Sequence, residues 1–302
     1  MKKTLLIVLI LFFVVDSINA QNFYSKRKDR SLMFSFGIGQ STYNGEMNDV
    51  VYDGLTPLPN AGIGLRKKLG AQLSLRIDFN WYQIGGSDSL NQQLGERENR
   101  NGGTDTRRPR NLSFKSNNFE LSALVIFNLI PVNNSYIRRP LINPYLFAGI
   151  GISSNNPETL YEGDWVALRP LQTELTPYSG IVTVVPIGIG VRLKANQYID
   201  ILLEGGFRST RSDYLDDASK DHIDKAQFDV LFGAGSEKAR LAQALSDRGI
   251  EGGFTERLEG WDRGNPLKND SYYIFQIRLE MYLPDNLLSQ LFSPSRKKPK
   301  FR

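Results

Sequence analysis

The one histidine of the chain is the first residue to consider for chemistry. His222 lies close to Ser219, Asp217 and Asp224. A serine, a histidine and a carboxylate can act as nucleophile, general base and orienting partner in acyl transfer. Proximity along one loop does not establish that geometry, because a triad is defined in three dimensions. We therefore predict no catalytic residue and interpret His222 as a solvated loop histidine.

An acidic run in the same region is the second candidate. Carboxylate oxygens are ligands that Ca²⁺ prefers. The run lacks the glycine and the terminal glutamate of an EF-hand loop, and neighbouring arginines could pair with it. Calcium binding stays open at this point, and we predict no metal or cofactor site. The acidic residues are Asp213, Asp216, Asp217, Asp221 and Asp224.

Composition excludes several other chemistries. The chain has 302 residues and no cysteine, which rules out disulfides, cysteine-ligated zinc, a thiol nucleophile and a lipidated cysteine. Its net charge of +5 is mild, and most of its basic residues are interspersed with acidic ones. We therefore expect no nucleic-acid partner and no small-molecule substrate.

The segment 72–82 shows which element must position the polar side chains. Leu73, Ile77 and Trp81 alternate with polar residues such as Arg76 and Asp78. Because side chains on a strand alternate between two faces, one face is apolar and the other is polar. The pattern fits a half-buried strand of a soluble sheet. It equally fits a barrel strand with lipid on one side and a lumen on the other.

The number of strands that repeat this pattern distinguishes a soluble sheet from a membrane barrel. We predict eight strands, joined by connections that alternate between long and short. That order is typical of bacterial outer-membrane barrels, with short periplasmic turns and long extracellular loops. We therefore predict an all-β protein, an eight-stranded antiparallel transmembrane β-barrel. The predicted strands cover residues 32–39, 60–69, 72–82, 114–129, 144–153, 181–194, 199–208 and 272–282.

The segments outside the barrel have compositions of their own. Residues 1–20 combine two lysines, an apolar run and a small residue at the end, as in a secretory signal peptide. Export would place the barrel, residues 21–283, in the outer membrane with both termini periplasmic. Residues 284–302 form a basic tail, and residues 227–244 have a weakly helical composition. The tail is either a docking segment for a periplasmic partner or the membrane surface, or a frayed end. Its candidate contact residues are Leu287, Leu288, Leu291, Phe292, Arg296, Lys297 and Lys298.

Four repeats of Gly-Ile-Gly, at 37–39, 62–64, 149–151 and 188–190, lie on four predicted strands. They lack the strand–turn–helix context of a phosphate-binding loop. We expect their glycines to face the lumen, which is only just wide enough for side chains. Unpaired buried charges are costly, so we predict a lumen filled by paired charges rather than an open pore. The predicted network is Arg66, Arg76, Asp78, Glu120, Arg192, Glu204, Arg208, Arg278 and Glu280.

Several stretches resemble a known family. They are FSFGIGQSTYNGEMND at 34–49, RRPRNLSFKSNNFELSALVIFNL at 107–129, RPLINPYLFAGIG at 139–151, ALRPLQTE at 167–174 and SDYLDD at 212–217. Together they resemble the small Bacteroidota outer-membrane barrels that include PorG, a component of the type IX secretion system.

The resemblance covers roughly residues 31 to 283 and supplies no catalytic residues. It implies a non-enzymatic outer-membrane protein that contacts a periplasmic ring of PorK and PorN. We also expect the segments 167–174 and 212–217 to pack as a plug over the barrel mouth. Two alternatives stay open: an adhesion or envelope-stabilising barrel acting through its outer loops, and a lipid-modifying barrel enzyme that uses His222.

Overall fold

The computed structural model describes residues 30–48, 55–88, 97–98, 104–105, 110–133 and 136–284. The predicted signal peptide, and the predicted tail beyond Pro284 with all its candidate contact residues, lie outside this part of the chain.

Eight long antiparallel strands close into a barrel. Each strand pairs with its neighbours in sequence, and the pairing of β1 with β8 closes the ring. The prediction of an eight-stranded antiparallel barrel is therefore confirmed. The strands are β1 (Leu32–Asn44), β2 (Leu58–Lys68), β3 (Leu73–Ser87), β4 (Ser113–Asn128), β5 (Ile142–Ser154), β6 (Ile181–Lys194), β7 (Ile199–Thr210) and β8 (Ser271–Tyr282).

The two faces of the barrel differ in the way that the period-two pattern predicts. The outward side chains Ile150 and Ile189 are 68% and 65% exposed. Inward Arg76 is 1% exposed. An exposed apolar face around a buried charged interior is the reverse of a soluble protein, and it is the arrangement of a barrel surrounded by lipid.

The connections depart from strict alternation. The turns 69–72 and 195–198 are tight, as expected, but the β4–β5 connection, 129–141, is as long as the β1–β2 connection, 45–57. Its 3₁₀ turn Tyr136–Arg138 is followed by Arg139, whose side chain fills this end of the lumen. The chain ends of the barrel lie at the same rim, where Lys68 donates its backbone N–H to Ser31 and Leu283 donates to Leu32. We call this edge the short-turn rim.

Several strands continue beyond their predicted ends at the opposite rim. β1 ends at Asn44 and β3 ends at Ser87, because their final residues join an apolar core that lies above the lumen. The β5–β6 connection also forms a hairpin, Pro157–Tyr161 with Asp164–Ala167, that the sequence pattern did not predict.

The long connections pack over this rim as a layer that we call the loop cap, formed by residues 45–48, 110–112, 155–180 and 211–270. It contains the helices α1 (Ala226–Phe232) and α2 (Glu237–Ser246), where helical composition was predicted, and the 3₁₀ turns Arg169–Leu171 and Ile250–Gly252. Among the described residues, no helix is long and apolar enough to cross a membrane. The buried cap residues include Met47, Leu112, Leu168, Leu171, Leu215, Phe228 and Leu245.

Candidate functional site

The charged lumen is arranged in tiers, and the tier nearest the short-turn rim is centred on Glu280. Arg66 binds both oxygens of this carboxylate at 2.6 and 2.8 Å. Arg192 approaches it at 3.2 Å and also donates to Asn128 at 2.7 Å. All of these side chains are buried. Two arginines on different strands therefore share one glutamate across the interior.

The middle tier contains two arginines and two carboxylates. Arg76 lies 2.9 Å from Asp78 and binds Glu204, one contact being 3.0 Å. Arg278 binds both oxygens of Asp78 and lies 3.4 Å from Glu204. The Tyr145 hydroxyl donates to Glu204 as well. The formal charges cancel, so the tier needs no further ion.

The tier beneath the loop cap is centred on Glu120. The Tyr272 hydroxyl donates to it at 2.7 Å, and Arg208 lies 3.6 Å away. Tyr272 stacks on Tyr82, whose hydroxyl lies 2.7 Å from that of Ser153. Aromatic rings and one ion pair thus join the lumen to the cap above it.

Sequence reasoning missed one buried pair at the short-turn rim. Arg139 binds Asp200 at 2.5 Å and also donates to backbone carbonyls of the β6–β7 turn. Asp200 lies on β7 and the period-two pattern can place it inside, but no pattern marks Arg139, which lies in a connection. The pair ties the long β4–β5 connection to the barrel.

The structure thus places all nine residues of the predicted lumen network inside the barrel. Two of the Gly-Ile-Gly glycines, Gly37 and Gly64, make room for them. A Cβ at Gly37 would lie 2.5 Å from the Arg278 side chain, and a Cβ at Gly64 would lie 2.3 Å from Asp78. The filled lumen therefore has a structural role, because its paired charges hold the strands together.

His222 is not solvated, contrary to the interpretation from sequence. It is 3% exposed in the loop cap, and its Nε2 has no hydrogen-bond partner in the described part of the chain. Burial first, and then the nearby cations Arg263, Arg110, Arg257 and Lys225, lower the pKa of His222 to about 2. With so low a pKa the imidazole is a weak proton acceptor, and no hydrogen bond from the described residues orients its Nε2.

Asp217, which lies near His222 in the sequence, has other hydrogen-bond partners. Asp217 accepts hydrogen bonds from Thr173 and Tyr178 and lies 3.3 Å from Arg263. Arg263 binds Glu174 at 2.8 Å, and Glu174 accepts the backbone N–H groups of Ser219 and Lys220. The segments 167–174 and 212–217 are therefore joined through one buried arginine, which is the kind of contact that the expected plug requires.

The acidic run divides among separate environments. Asp217 belongs to the Arg263 network, Asp221 forms a β-bridge with Asp262, and Asp224 accepts the N–H of Ala226 at the start of α1. Asp213 and Asp216 instead meet Glu46 and Asp270 at the top of the barrel. The run does not form a single calcium loop.

A closed eight-stranded antiparallel barrel with an apolar outer face and a filled lumen defines the class that small bacterial outer-membrane proteins adopt. No protein-family model matches the chain, and no curated protein matches it.

Solved structures resemble it in fold. Neisserial surface protein A matches with a TM-score of 0.40 and 8% identity, covering 83% of this chain and 97% of that one. Ail, the attachment invasion locus protein of Yersinia pestis, matches with a TM-score of 0.37, 8% identity and coverage of 83% and 97%. The outer membrane enzyme PagL matches with a TM-score of 0.30, 9% identity and coverage of 83% and 99%. At this level of similarity these proteins do not discriminate among functions.

Proposed function

We propose that this chain is a non-enzymatic outer-membrane barrel protein that serves as an anchor or accessory component of a type IX secretion system and contacts periplasmic partners. The observation that carries the proposal is a barrel with an apolar outer face, a lumen filled by paired charges and a packed cap. Because such a barrel offers no path for a solute, we expect it to act through its place in the membrane and through the surfaces that it presents to partners.

The surroundings of His222 support the non-enzymatic part, because the residues that the structure describes form no catalytic set around it. His222 is buried beside four cations, and Asp217 is bound to Arg263. A lipid-modifying enzyme would need an accessible base near the bilayer. Changing His222 to Ala should leave the envelope lipids unchanged, as read by mass spectrometry of extracted lipids. Loss of a lipid modification on that change would favour the enzyme.

The geometry of the chain ends supports a periplasmic contact. Arg30 donates to the carbonyl of Tyr282, and Leu283 donates to Leu32, so both ends leave the barrel at the short-turn rim. In outer-membrane barrels that rim faces the periplasm. Under this proposal the tail, residues 285–302, belongs to the compartment where the ring proteins PorK and PorN, implied by the family resemblance, would lie.

A pull-down from detergent-solubilised membranes tests the proposal. The full chain and a variant lacking residues 285–302 are compared, with the heat-modified gel mobility of each confirming a folded barrel. We expect ring proteins to be recovered with the full chain and lost with the shortened one. Equal recovery, or recovery of none, would contradict an anchoring role through the tail.

A second candidate, an adhesion or envelope-stabilising barrel, is favoured by the surface of the loop cap. Val230 on α1 is 88% exposed, and Leu267 is 86% exposed. Under this alternative the two apolar side chains are contact residues of the outer loops. Changing both to Asp should abolish binding to an outer partner under this alternative, whereas removing the tail should not.

A further inference from the structure

Four carboxylates converge where the loop cap meets the barrel. Glu46 comes from the β1–β2 connection, Asp213 and Asp216 come from the β7–β8 connection, and Asp270 directly precedes β8. All four are buried. Carboxylate oxygens of Glu46, Asp213 and Asp270 all lie within 4.8 Å of one another. Three segments far apart in sequence thus direct negative charge at one point.

The protein supplies too few hydrogen-bond donors for these groups. The Tyr43 hydroxyl lies 2.7 Å from Asp216 and 2.6 Å from Asp270, but its single hydrogen can serve only one of them. Backbone N–H groups of Leu215 and Ala218 each serve one further oxygen. Asp213, which is 8% exposed, has no hydrogen-bond partner on either oxygen, and Glu46 has none on Oε2.

Protein cations do not balance this charge either. Among the described residues, no lysine or arginine forms an ion pair with any of the four carboxylates. Arg110 is the cation that most affects Glu46, yet it binds Asp88 at 2.7 Å and the carbonyl of Arg263. Buried charges without a partner cost several kcal/mol. The cluster must therefore hold either protons or a bound cation.

The raised pKa values of these carboxylates reflect the same lack of compensating positive charge. Burial and then the neighbouring Asp213 raise the pKa of Glu46 to about 7. Burial raises the pKa of Asp213 to about 7, although the nearby Ser219 hydroxyl opposes the rise. Burial and the other carboxylates raise the pKa of Asp270 well above its ordinary value.

The geometry suits a hard divalent ion. Ca²⁺ takes oxygen ligands at about 2.3–2.6 Å, so ligand atoms on opposite sides of the ion lie roughly 4.6–5.2 Å apart. Oxygens of the three carboxylates lie within 4.8 Å of one another, close enough to bind one such ion together. Gly45 keeps the space open, since a Cβ there would lie 2.0 Å from the Tyr43 hydroxyl and 2.1 Å from Asp270.

We propose that Glu46, Asp213 and Asp270, with Asp216 beside them, form a divalent-cation site for calcium that joins separate segments of the loop cap where the cap meets the barrel. The ion would join the β1–β2 connection, the β7–β8 connection and the start of β8. Its ligands are oxygens only, which selects against soft transition metals. The site is independent of any partner of the tail.

Terbium luminescence tests the site in the full-length folded barrel, because Tb³⁺ replaces Ca²⁺ and the adjacent Tyr43 can sensitise it. We expect saturable emission that Ca²⁺ displaces and Na⁺ does not. Changing Asp213 to Asn should weaken binding by about tenfold or more, since ligand charge sets calcium affinity. The control is Asp164→Asn, an exposed acid in the outer hairpin, which should bind as the unchanged protein does. Emission without saturation, or equal affinity in both variants, would overturn the proposal.

Protection of the cap provides a measurement that needs no variant. Calcium should slow chymotrypsin cleavage within residues 211–270 of the unchanged protein, measured against a chelator and against Na⁺ at equal ionic strength. The Glu46→Gln variant should lose most of that protection. A cleavage rate that calcium does not alter would mean that protons, rather than an ion, neutralise the cluster.

Discussion

Arg278 on β8 reaches across the lumen to Asp78 on β3, where its two terminal nitrogens lie 3.0 and 3.1 Å from the two carboxylate oxygens. In the sheet, β1 and β2 separate these strands, so the pair spans the interior rather than joining neighbours. Arg76 binds the same Asp78, and both arginines contact Glu204. Opening a pore here would require separating buried opposite charges.

Removing one member of this unit should be costly. We expect Arg278→Met to lower the free energy of unfolding by about 3–5 kcal/mol, because it leaves Asp78 and Glu204 with one cation between them. Urea unfolding of the folded barrel in detergent micelles measures the change. Arg240→Met, on the exposed face of α2, is the matched control and should cost less than about 0.5 kcal/mol. Equal stability of the two variants would contradict a structural role for the lumen charges.

Alanine substitutions at two glycines distinguish the effect of filling lumen space from the general effect of adding a methyl group. A Cβ at Gly64 would lie 2.3 Å from Asp78 and 2.9 Å from Arg278, whereas a Cβ at Gly70 meets nothing within 4 Å. Gly64→Ala should therefore destabilise the barrel by roughly 1–3 kcal/mol through overpacking, and Gly70→Ala should change little. The same urea titration distinguishes them, and a tolerated Gly64→Ala would show that the lumen has spare room.

The barrel was predictable from sequence because its signal is local. Each strand carries its own period-two pattern, and the alternation alone assigns residues such as Arg66 and Glu280 to the lumen. Their pairing was not predictable, because the two residues lie 214 positions apart and the contact depends on the shear of the closed barrel.

The loop cap shows where local reasoning fails. Asp213 and Asp216 were visible as members of an acidic run, but Glu46 and Asp270 lie in other segments and join them only in three dimensions. His222 was interpreted as solvated because its polar neighbours in sequence are typical of a loop. Burial of that loop under α1 and α2 depends on long-range packing, which composition does not reveal.

Acid should loosen the loop cap through His222. Its folded pKa, about 2, lies below the unfolded value of about 6.5, so the unfolded state binds the additional proton. The contribution to stability is fully present above about pH 6.5 and is lost progressively as the pH falls below it. Glu46 and Asp213 act in the opposite sense, since their raised pKa values favour the folded state as the pH falls from 7.

A difference measurement isolates the histidine. The rate of hydrogen exchange in residues 211–270 is followed from pH 7.5 to pH 5 for the unchanged protein and for His222→Gln. The pH of each sample is controlled to about ±0.1 unit. After correction for intrinsic exchange, we expect the unchanged protein to lose protection towards acid more steeply than the variant, which has no titrating imidazole. Parallel curves would contradict a buried neutral histidine.

Arg263 should control how well the cap resists proteases. It joins Glu174 and Asp217, which lie at the ends of two different cap segments. Arg263→Met leaves both carboxylates buried without a cation, so chymotrypsin should cut within 160–178 and 212–260 faster than in the unchanged protein. Arg169→Met, an exposed position in the same layer, is the control. Free cleavage of the unchanged protein in these segments would contradict an ordered cap.

The central claim is that lipid covers the outer face of the barrel, and fluorescence quenching in vesicles tests it most directly. The chain has no cysteine, so Ile150→Cys carries a single environment-sensitive fluorophore, and Val230→Cys on the cap is the matched control. Lipids with a spin label on the acyl chain should quench the probe at position 150 strongly and the probe at position 230 hardly at all. Equal quenching at the two positions, or none at position 150, would contradict a membrane-spanning barrel.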